Sequence, residues 1–170
     1  MNTTGIDVQE SNERLLKALF SNRGLTYLVE VGAAELGNPV LVVDPTYHYA
    51  ARAGIELDDA DNSAFARIIR SESIDEVIAD EGIRYIEETG VDEELARAHG
   101  AVLRHNPLYE LDALTQDVVA GGICLGRVMT LAKNHPFGER DHAVFDRLVA
   151  LVAQELQKGG FLSSEDSQMG

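Results

Sequence analysis

The residues whose types and spacing most suggest chemistry form the glycine-rich run AGGICLGRV at positions 120–128. Gly121 and Gly126 are separated by four residues and Arg127 follows, which approaches the pattern of a phosphate-binding loop. Such a loop ends in Gly-Lys-Ser/Thr and leads directly into a helix, whose N-terminal amides bind the phosphate. Here arginine and valine follow the last glycine, and the next residues, MTLA, are strand-like. The sequence therefore predicts a hairpin turn at Gly121-Gly122 and a bulge or close packing at Gly126.

Other residues that bind metals or catalyse reactions lack the spacing that those functions need. The five histidines have no metal-binding pattern such as His-x-x-x-His; they are His48, His99, His105, His135 and His142. Asp58, Asp59 and Asp61 lack the mid-loop glycine and closing glutamate of a calcium loop, and Asp61 is predicted to cap the helix that follows. No Ser-His-Asp constellation or paired-carboxylate motif is present, so we expect no bound metal, no cofactor and no enzymatic activity.

Composition limits the partners and the compartment of the chain. Its 170 residues are enough for one domain, and its formal net charge is −15. A surface this acidic repels nucleic acid and anionic lipid, so we expect neither to bind directly. The sequence contains no transmembrane run, its polar start has no signal-peptide core, and the single Cys124 suits a reducing compartment. We therefore expect a cytoplasmic protein without membrane contact.

The elements that must position any site follow from apolar periodicity. NERLLKALFSN and LTYLVEVGAAELG have helical spacing, and PVLVVD with the residues after Pro45 predicts a first hairpin. Residues 58–100 are predicted to form short helices, with a capping box at 73–76 and a solvated acidic face from Glu72 to Glu94. AVLRHN, LTQDVVA and ICLGRVMTLAK predict three further strands before a long C-terminal helix. This order indicates an α+β fold with an antiparallel sheet.

Three segments are predicted along the chain. Residues 1–10 carry no apolar period and are expected to be a disordered lead, whereas residues 11–160 form one domain. The last helix is predicted to end at Gly159-Gly160, which leaves residues 161–170 as a linker or tail.

A ligand pocket in such a fold would lie between the sheet and the short middle helices. The polar groups best placed to converge there are Tyr47, Tyr49, Tyr85, Arg104, His105, Cys124 and Arg127. Tyr47 and Tyr49 alternate with His48, so the two tyrosines are predicted to share one face of the strand. For each candidate the alternative is packing or surface exposure without ligand contact.

Apolar residues on two sides of the last helix raise the question of dimerisation. One stripe, which includes Phe145 and Leu148, is enough to dock on the sheet, and Val144 and Leu151 extend the apolar surface further. We therefore predict a homodimer interface formed by Leu15, Leu19, Val144 and Leu151. The alternative is a helix buried between the sheet and the first helix.

Two stretches of the sequence resemble a known family. The glycine spacing at 121–126, followed by Phe137-x-x-x-Asp141 at the start of the last helix, resembles the end of a GAF domain. LGNP at 36–39, followed by a strand that closes on Asp44, resembles the start of the sensory domain of PucR-type bacterial transcriptional regulators. Gly138 departs from the family, which has a Ser or Thr cap there. The family's C-terminal helix-turn-helix is also missing from the 170 residues, as expected of a sensory fragment or of a lineage that lost its output domain.

The resemblance covers residues 11–160 and implies both a fold and a role. The fold is a GAF/PAS-like antiparallel sheet of five or six strands, with helices on both faces and a long C-terminal helix. The implied role is that of a sensor, which binds an unidentified small metabolite, dimerises and controls a DNA-binding domain. Two alternatives remain open: a ligand-free dimerisation scaffold and a small-molecule enzyme. Some GAF domains reduce methionine sulfoxide, but that chemistry uses several cysteines and this chain has one.

Overall fold

A computed structural model describes the backbone of residues 3–72 and 77–169, with the side chains of residues 5, 7–72 and 77–158. The described residues form six helices and five strands. The helices are α1 (Thr3–Phe20), α2 (Leu25–Leu36), α3 (Ala64–Glu72), α4 (Asp80–Thr89), α5 (Val91–Arg97) and α6 (Glu139–Met169). The strands are β1 (Val40–Val43), β2 (Tyr49–Ala53), β3 (Val102–Asn106), β4 (Leu111–Ala120) and β5 (Ile123–Leu131). The capping box predicted at 73–76 lies outside the described residues.

The strands form one antiparallel sheet in the order β2-β1-β5-β4-β3. Three hairpins follow the chain, and β1 joins them by pairing with β5, so that Val42 lies opposite Val128. Strand β1 is buried at all four positions because it is central and both faces of the sheet are covered. The predicted α+β class, antiparallel sheet and long last helix are confirmed.

Two apolar layers cover the two faces of the sheet. One contains residues of α1, α2 and α6 against Val40, Val42 and Val128. The other contains residues of α3 against Leu41 and Leu131. Helix α6 packs against α1, α2, β4 and β5, so it has neighbours on more than one side. This arrangement explains the second apolar side of α6 without a partner chain.

The residues predicted to form a dimer interface lie inside this core. Leu15 and Val144 are 0% exposed, Leu151 is 1% exposed and Leu19 is 2% exposed. A second copy of the chain cannot contact them unless the helices separate. The assignment of these four residues to an interface is therefore wrong, because an apolar stripe buried between helices looks the same in sequence as one that faces a partner.

The ends of the terminal helices also differ from the prediction. Helix α1 begins at Thr3, so the described part of the predicted lead is helical, and Val8 packs against the core. Helix α6 continues through Gly159-Gly160 to Met169. A glycine inside a helix costs about 1 kcal/mol relative to alanine, so it weakens a helix without necessarily ending it. Among the described residues, no helix is both long and apolar enough to cross a membrane.

The glycine-rich run forms the predicted hairpin. Gly121 and Gly122 connect β4 to β5 with φ angles of 58° and 78°. A bulge follows, because Val118 pairs with Gly126 whereas Val119 pairs with Cys124. A Cβ atom on Gly126 would lie 2.6 Å from the Val43 carbonyl oxygen of the neighbouring strand. The close packing predicted for Gly126 is confirmed, whereas the bulge lies at the adjacent Leu125, which has no partner in β4.

The cap of α3 is Ser63, two residues after the predicted Asp61. Ser63 Oγ accepts a hydrogen bond from the Ala66 N–H at 3.1 Å, which is the N-cap geometry. Asp61 instead accepts from the Ser63 N–H at 2.9 Å and thereby shapes the turn before the helix. Both residue types favour helix N-termini, so the sequence alone does not separate them.

The LGNP segment ties the end of α2 to the start of α6. Asn38 is buried, its Nδ2 donates to the His135 carbonyl oxygen at 3.1 Å, and its Oδ1 accepts from the Asn134 N–H at 2.8 Å. The His135 ring lies between two carbonyl oxygens, with Nε2 2.8 Å from Leu36 O and Nδ1 2.9 Å from Pro136 O. These contacts hold the α2–β1 connection against the β5–α6 connection.

A polar cluster joins the terminal helices to α2. Glu35 accepts hydrogen bonds from Ser11 at 2.7 Å and from Arg14 at 2.6 and 2.7 Å. Arg140 of α6 donates to the Glu35 carbonyl oxygen at 2.7 Å and to Ser11 Oγ at 2.8 Å. The arginine contacts hold the pKa of the Glu35 carboxyl below its usual range. The first and last helices are therefore coupled through α2.

Candidate ligand-binding cavity

A cavity of about 100 Å³ lies between the sheet and helices α3 and α4. Half of its lining residues are aliphatic: Leu41, Val43, Ile68, Ile78, Ala79, Ile86, Val91, Leu108, Ala113 and Met129. An apolar cavity of about 150 Å³ can hold benzene, so this volume suits a ligand of a few heavy atoms. The sequence predicts a pocket at this position.

Glu72, the last residue of α3, is the most deeply buried ionisable group on the cavity wall, with 2% of its surface exposed. Its Oε1 accepts from the Tyr49 hydroxyl at 2.8 Å and its Oε2 accepts from the Ala79 N–H at 2.7 Å. Burial is the main reason that the pKa of Glu72 is raised. The prediction that Glu72 belongs to a solvated acidic face is wrong.

The apolar stripe of α3 explains the burial of Glu72. Phe65, Ile68 and Ile69 lie three and four residues apart, and Glu72 continues the same series. The sequence therefore contained a signal for its burial, namely a carboxylate at the end of an apolar helix stripe.

Two tyrosines lie with Glu72 at this end of the cavity. Burial raises the pKa of Tyr49 and of Tyr109, and the nearby Glu72 carboxylate adds to the effect on both. Tyr109 comes from the turn between β3 and β4, and its ring packs against Phe65 with centroids 6.0 Å apart. The Arg52 guanidinium lies 4.5 Å from the centre of the Tyr49 ring, and its buried Nη1 makes no hydrogen bond within the described residues.

The two arginines of the cavity are held by carboxylates. Arg127 on β5 contacts Asp117 at 2.7 Å and Asp92 of α5 at 2.8 Å. Arg104 on β3 contacts Glu94 of α5 at 3.1 Å. These ion pairs fix the guanidinium groups and fasten α5 to the sheet.

A second, more open hollow of about 210 Å³ adjoins the cavity and shares Val43 and Arg127 with it. Tyr47 and the exposed Cys124 line this hollow. The Tyr47 hydroxyl donates to Asp92 at 2.7 Å, and this hydrogen bond is the largest of the effects that raise the pKa of Tyr47 to about 12.

The seven predicted ligand residues therefore separate into three groups. Tyr49, Tyr85, Arg104 and Arg127 line the cavity, and Tyr47 and Cys124 line the hollow beside it. His105 lines neither: it neighbours Arg104 on β3, so its side chain points to the other side of the strand, where it contacts Asp112 at 3.0 Å. Residues that line the cavity but were missed are Glu72, Glu81, Asn106, Tyr109 and Thr115.

Solved structures of GAF domains share this fold. A GAF domain from a phosphoenolpyruvate-protein phosphotransferase (ptsP) of Coxiella burnetii matches with a TM-score of 0.55 at 10% identity, over 94% of this chain and 98% of its own. The GAF domain of an Acinetobacter phosphoenolpyruvate-protein phosphotransferase matches with a TM-score of 0.57 at 12% identity, over 92% of this chain and 97% of its own. No protein-family model matches the sequence, and no curated protein is significantly similar to it. The chain has the fold of GAF domains.

Proposed function

We propose that this chain is the sensory domain of a bacterial transcriptional regulator of the PucR type, and that it binds a small molecule in the cavity between the sheet and helices α3 and α4. The observation that carries the proposal is the cavity itself: an apolar space with a few converging polar groups, of which Glu72 and Tyr109 are the most buried. The LGNP resemblance and the GAF fold support the regulatory role.

The cover of the cavity is suited to respond to a ligand. Helix α4 has no buried residue, so it is lightly packed compared with α3. Helix α5 is fastened to the sheet by the contacts of Asp92 and Glu94 with the two arginines. A ligand that contacts both the sheet and α4 would favour one arrangement of these elements over another.

The terminal helices would carry the signal to an output domain. Helix α6 packs against the opposite face of the sheet, and Arg140 and Glu35 link it to α1 and α2. A change in the sheet that separates the cavity from α6 would therefore alter the position of α6. We also propose a homodimer, whose interface must lie outside the buried residues of α1 and α6.

The alternative function, a ligand-free scaffold, requires no cavity. Native mass spectrometry of gently purified protein separates the two functions when the unmodified chain is compared with Ala113→Leu. Ala113 lines the cavity, so leucine would fill much of its volume at a cost of about 1–3 kcal/mol from overpacking. Thr115→Leu serves as a second filling variant.

A sensor is expected to carry an extra mass per chain that both filling variants lose. An extra mass kept by both variants would place the ligand elsewhere and contradict the proposal. The same spectra report the dimer, and a monomer at micromolar concentration would contradict that part.

A further inference from the structure

We propose that the ligand of this cavity is a small organic ammonium ion with an apolar body, bound through the Glu72 carboxylate. This inference rests on the proposed function of the cavity. It follows from the charges that face the cavity, from which of them are already paired, and from the size of the space.

The Glu72 carboxylate is buried without a cation. Its two oxygens accept from a phenol and from a backbone amide, and no ion pair with Glu72 is found within residues 3–72 and 77–169. Arg52 attracts the carboxylate through space but stacks on the Tyr49 ring instead of pairing with it. A buried carboxylate without a cation is costly, and a cationic ligand placed beside it would relieve that cost.

The positive groups of the cavity are unavailable to an anionic ligand. Arg127 is shared between two aspartates and Arg104 is paired with Glu94, at distances of 2.7 to 3.1 Å. The two aspartate contacts of Arg127 would have to rearrange before that guanidinium could bind a carboxylate or a phosphate, and the Glu94 carboxylate beside Arg104 would repel an anion there. Glu81, which also lines the cavity, adds a second negative charge near Glu72. Among the described residues that line the cavity, the charged groups without an ion pair are the carboxylates of Glu72 and Glu81, and this favours a cation.

The aromatic residues and the volume define the rest of the ligand. Tyr49, Tyr85 and Tyr109 line the same cavity, and aromatic rings attract cations through their negative faces. The volume of about 100 Å³ is below the volume that accommodates benzene, so the apolar body has only a few carbons. A branched primary amine with a four-carbon body matches both limits.

Calorimetric titration of the full chain with three probes that share a branched four-carbon skeleton tests the proposal. The probes are isobutylammonium, isobutanol and isobutyrate at neutral pH. We expect isobutylammonium to bind about tenfold more tightly than isobutanol or better, and isobutyrate to bind more weakly than both. Equal or tighter binding of isobutanol or isobutyrate would overturn the proposal, and so would a lack of binding by all three.

Two variants locate the preference for the cation. Glu72→Gln keeps a hydrogen-bond acceptor for Tyr49 or Ala79 but removes the charge, and it should abolish the difference between the ammonium and the alcohol. The matched control Glu88→Gln makes the same change at an exposed position of α4 and should leave the difference intact. An unchanged preference in Glu72→Gln would overturn the proposal. If this variant folds poorly, the three probes on the unmodified chain still decide.

The outcome separates this inference from the proposed function. If isobutanol or isobutyrate binds most tightly and Ala113→Leu abolishes that binding, the ligand is not a cation but the cavity is still a binding site. The native mass comparison uses no added probe, so its result for the cavity is independent of the three titrations.

Discussion

Among single residues, Glu72 is notable because its carboxyl is buried and burial raises its pKa. It ends an apolar stripe on α3, and it hydrogen-bonds both to β2 through Tyr49 and to the start of α4 through Ala79. One side chain thus connects three elements around the cavity. Its burial also gives the folded chain a characteristic response to pH.

The first prediction concerns this response. Because the pKa of Glu72 is raised on folding, its contribution to stability is complete below the unfolded value near 4.5 and is lost as pH rises through the folded value. We therefore expect the unmodified chain to lose stability relative to Glu72→Gln over a range of pH that begins near 4.5. Urea unfolding of both chains across this range measures the effect. A constant difference across the range would contradict it.

The second prediction concerns the hydroxyl that faces Glu72. Tyr49→Phe removes the donor at 2.8 Å and leaves a buried oxygen of Glu72 unsatisfied. The expected loss in free energy of unfolding is about 1–3 kcal/mol at neutral pH, measured by urea titration. Tyr27→Phe removes a phenol hydroxyl from α2, away from the cavity, and should change stability by less than about 0.5 kcal/mol. Equal losses in the two variants would mean that the Tyr49 hydrogen bond is not the cause.

The residues of the site were only partly predictable from the sequence. Tyr49, Arg104 and Arg127 could be chosen because they are polar residues on strands of one sheet, and Tyr85 because it lies on a middle helix that covers the sheet. His105 was misassigned, because it follows Arg104 directly on β3 and successive residues of a strand point to opposite faces of the sheet. Tyr109 was missed because a residue in a turn has no periodicity to indicate where its ring packs.

At the scale of elements, backbone approach and helix ends determine how the layers fit together. Strands β1 and β5 come close at Gly126, where the Val43 carbonyl oxygen occupies the space of a side chain. The end of α2 and the start of α6 meet at Asn38 and His135. Each contact makes a prediction that involves two elements.

The third prediction is for Gly126→Ala. The added methyl group would lie 2.6 Å from a backbone oxygen, which cannot rotate away as a side chain can. We expect a loss of about 1–3 kcal/mol in the free energy of unfolding. Gly100→Ala is the matched control, because its added methyl group meets no atom within 4 Å. Chemical denaturation compares the two, and an unaffected Gly126→Ala would contradict the close approach of the strands.

The fourth prediction uses the His135 ring at the end of α2. A neutral imidazole has one N–H and can donate to only one of its two carbonyl partners, whereas the protonated ring donates to both. The contacts with Pro136 O and Leu36 O therefore raise the pKa of His135. This stabilisation is complete below the unfolded value near 6.5 and is lost as pH rises through the folded value.

The unmodified chain should accordingly lose stability relative to His135→Asn between about pH 6 and pH 8. The effect is small, because the ring is exposed. The other four histidines are common to both chains, so the difference between their thermal unfolding profiles isolates His135. Parallel profiles would contradict the double hydrogen bond.

The elements themselves were largely predictable, whereas their ends were not. Alternating and helical apolar patterns were sufficient for the hairpins, for α2 and for the start of α6. The extent of α1 and α6 was not, because residues 3–10 and 161–169 carry no strong apolar period. The sequence does not show whether Ser63 or Asp61 caps α3, because both side chains accept backbone hydrogen bonds.

At the scale of the whole molecule, the sheet divides the chain into a helical core on one side and a cavity-bearing layer on the other. The fold class followed from the order of the elements. The predicted dimer surface could not be inferred in the same way, because helix α6 packs both of its apolar sides against its own chain. This distinction leads to the fifth prediction.

Leu151→Ala tests whether this part of α6 stabilises the protomer or an interface. Leu151 is 1% exposed, so its truncation should cost about 2–5 kcal/mol of the free energy of unfolding. The loss should be the same across a hundredfold range of protein concentration, because it belongs to each chain. Urea midpoints measure it, and a loss that disappears at high protein concentration would indicate that Leu151 belongs to an interface between chains.

Occupation of the cavity by a small molecule can be tested with a thermal-shift screen of metabolites on the unmodified chain and on Ala113→Leu. A ligand at a hundredfold excess over its Kd should raise the unfolding temperature by about 5 °C or more. We expect at least one compound that raises the unfolding temperature of the unmodified chain and leaves that of Ala113→Leu unchanged. Compounds that stabilise both chains equally, or a full library without any effect on the unmodified chain, would contradict it.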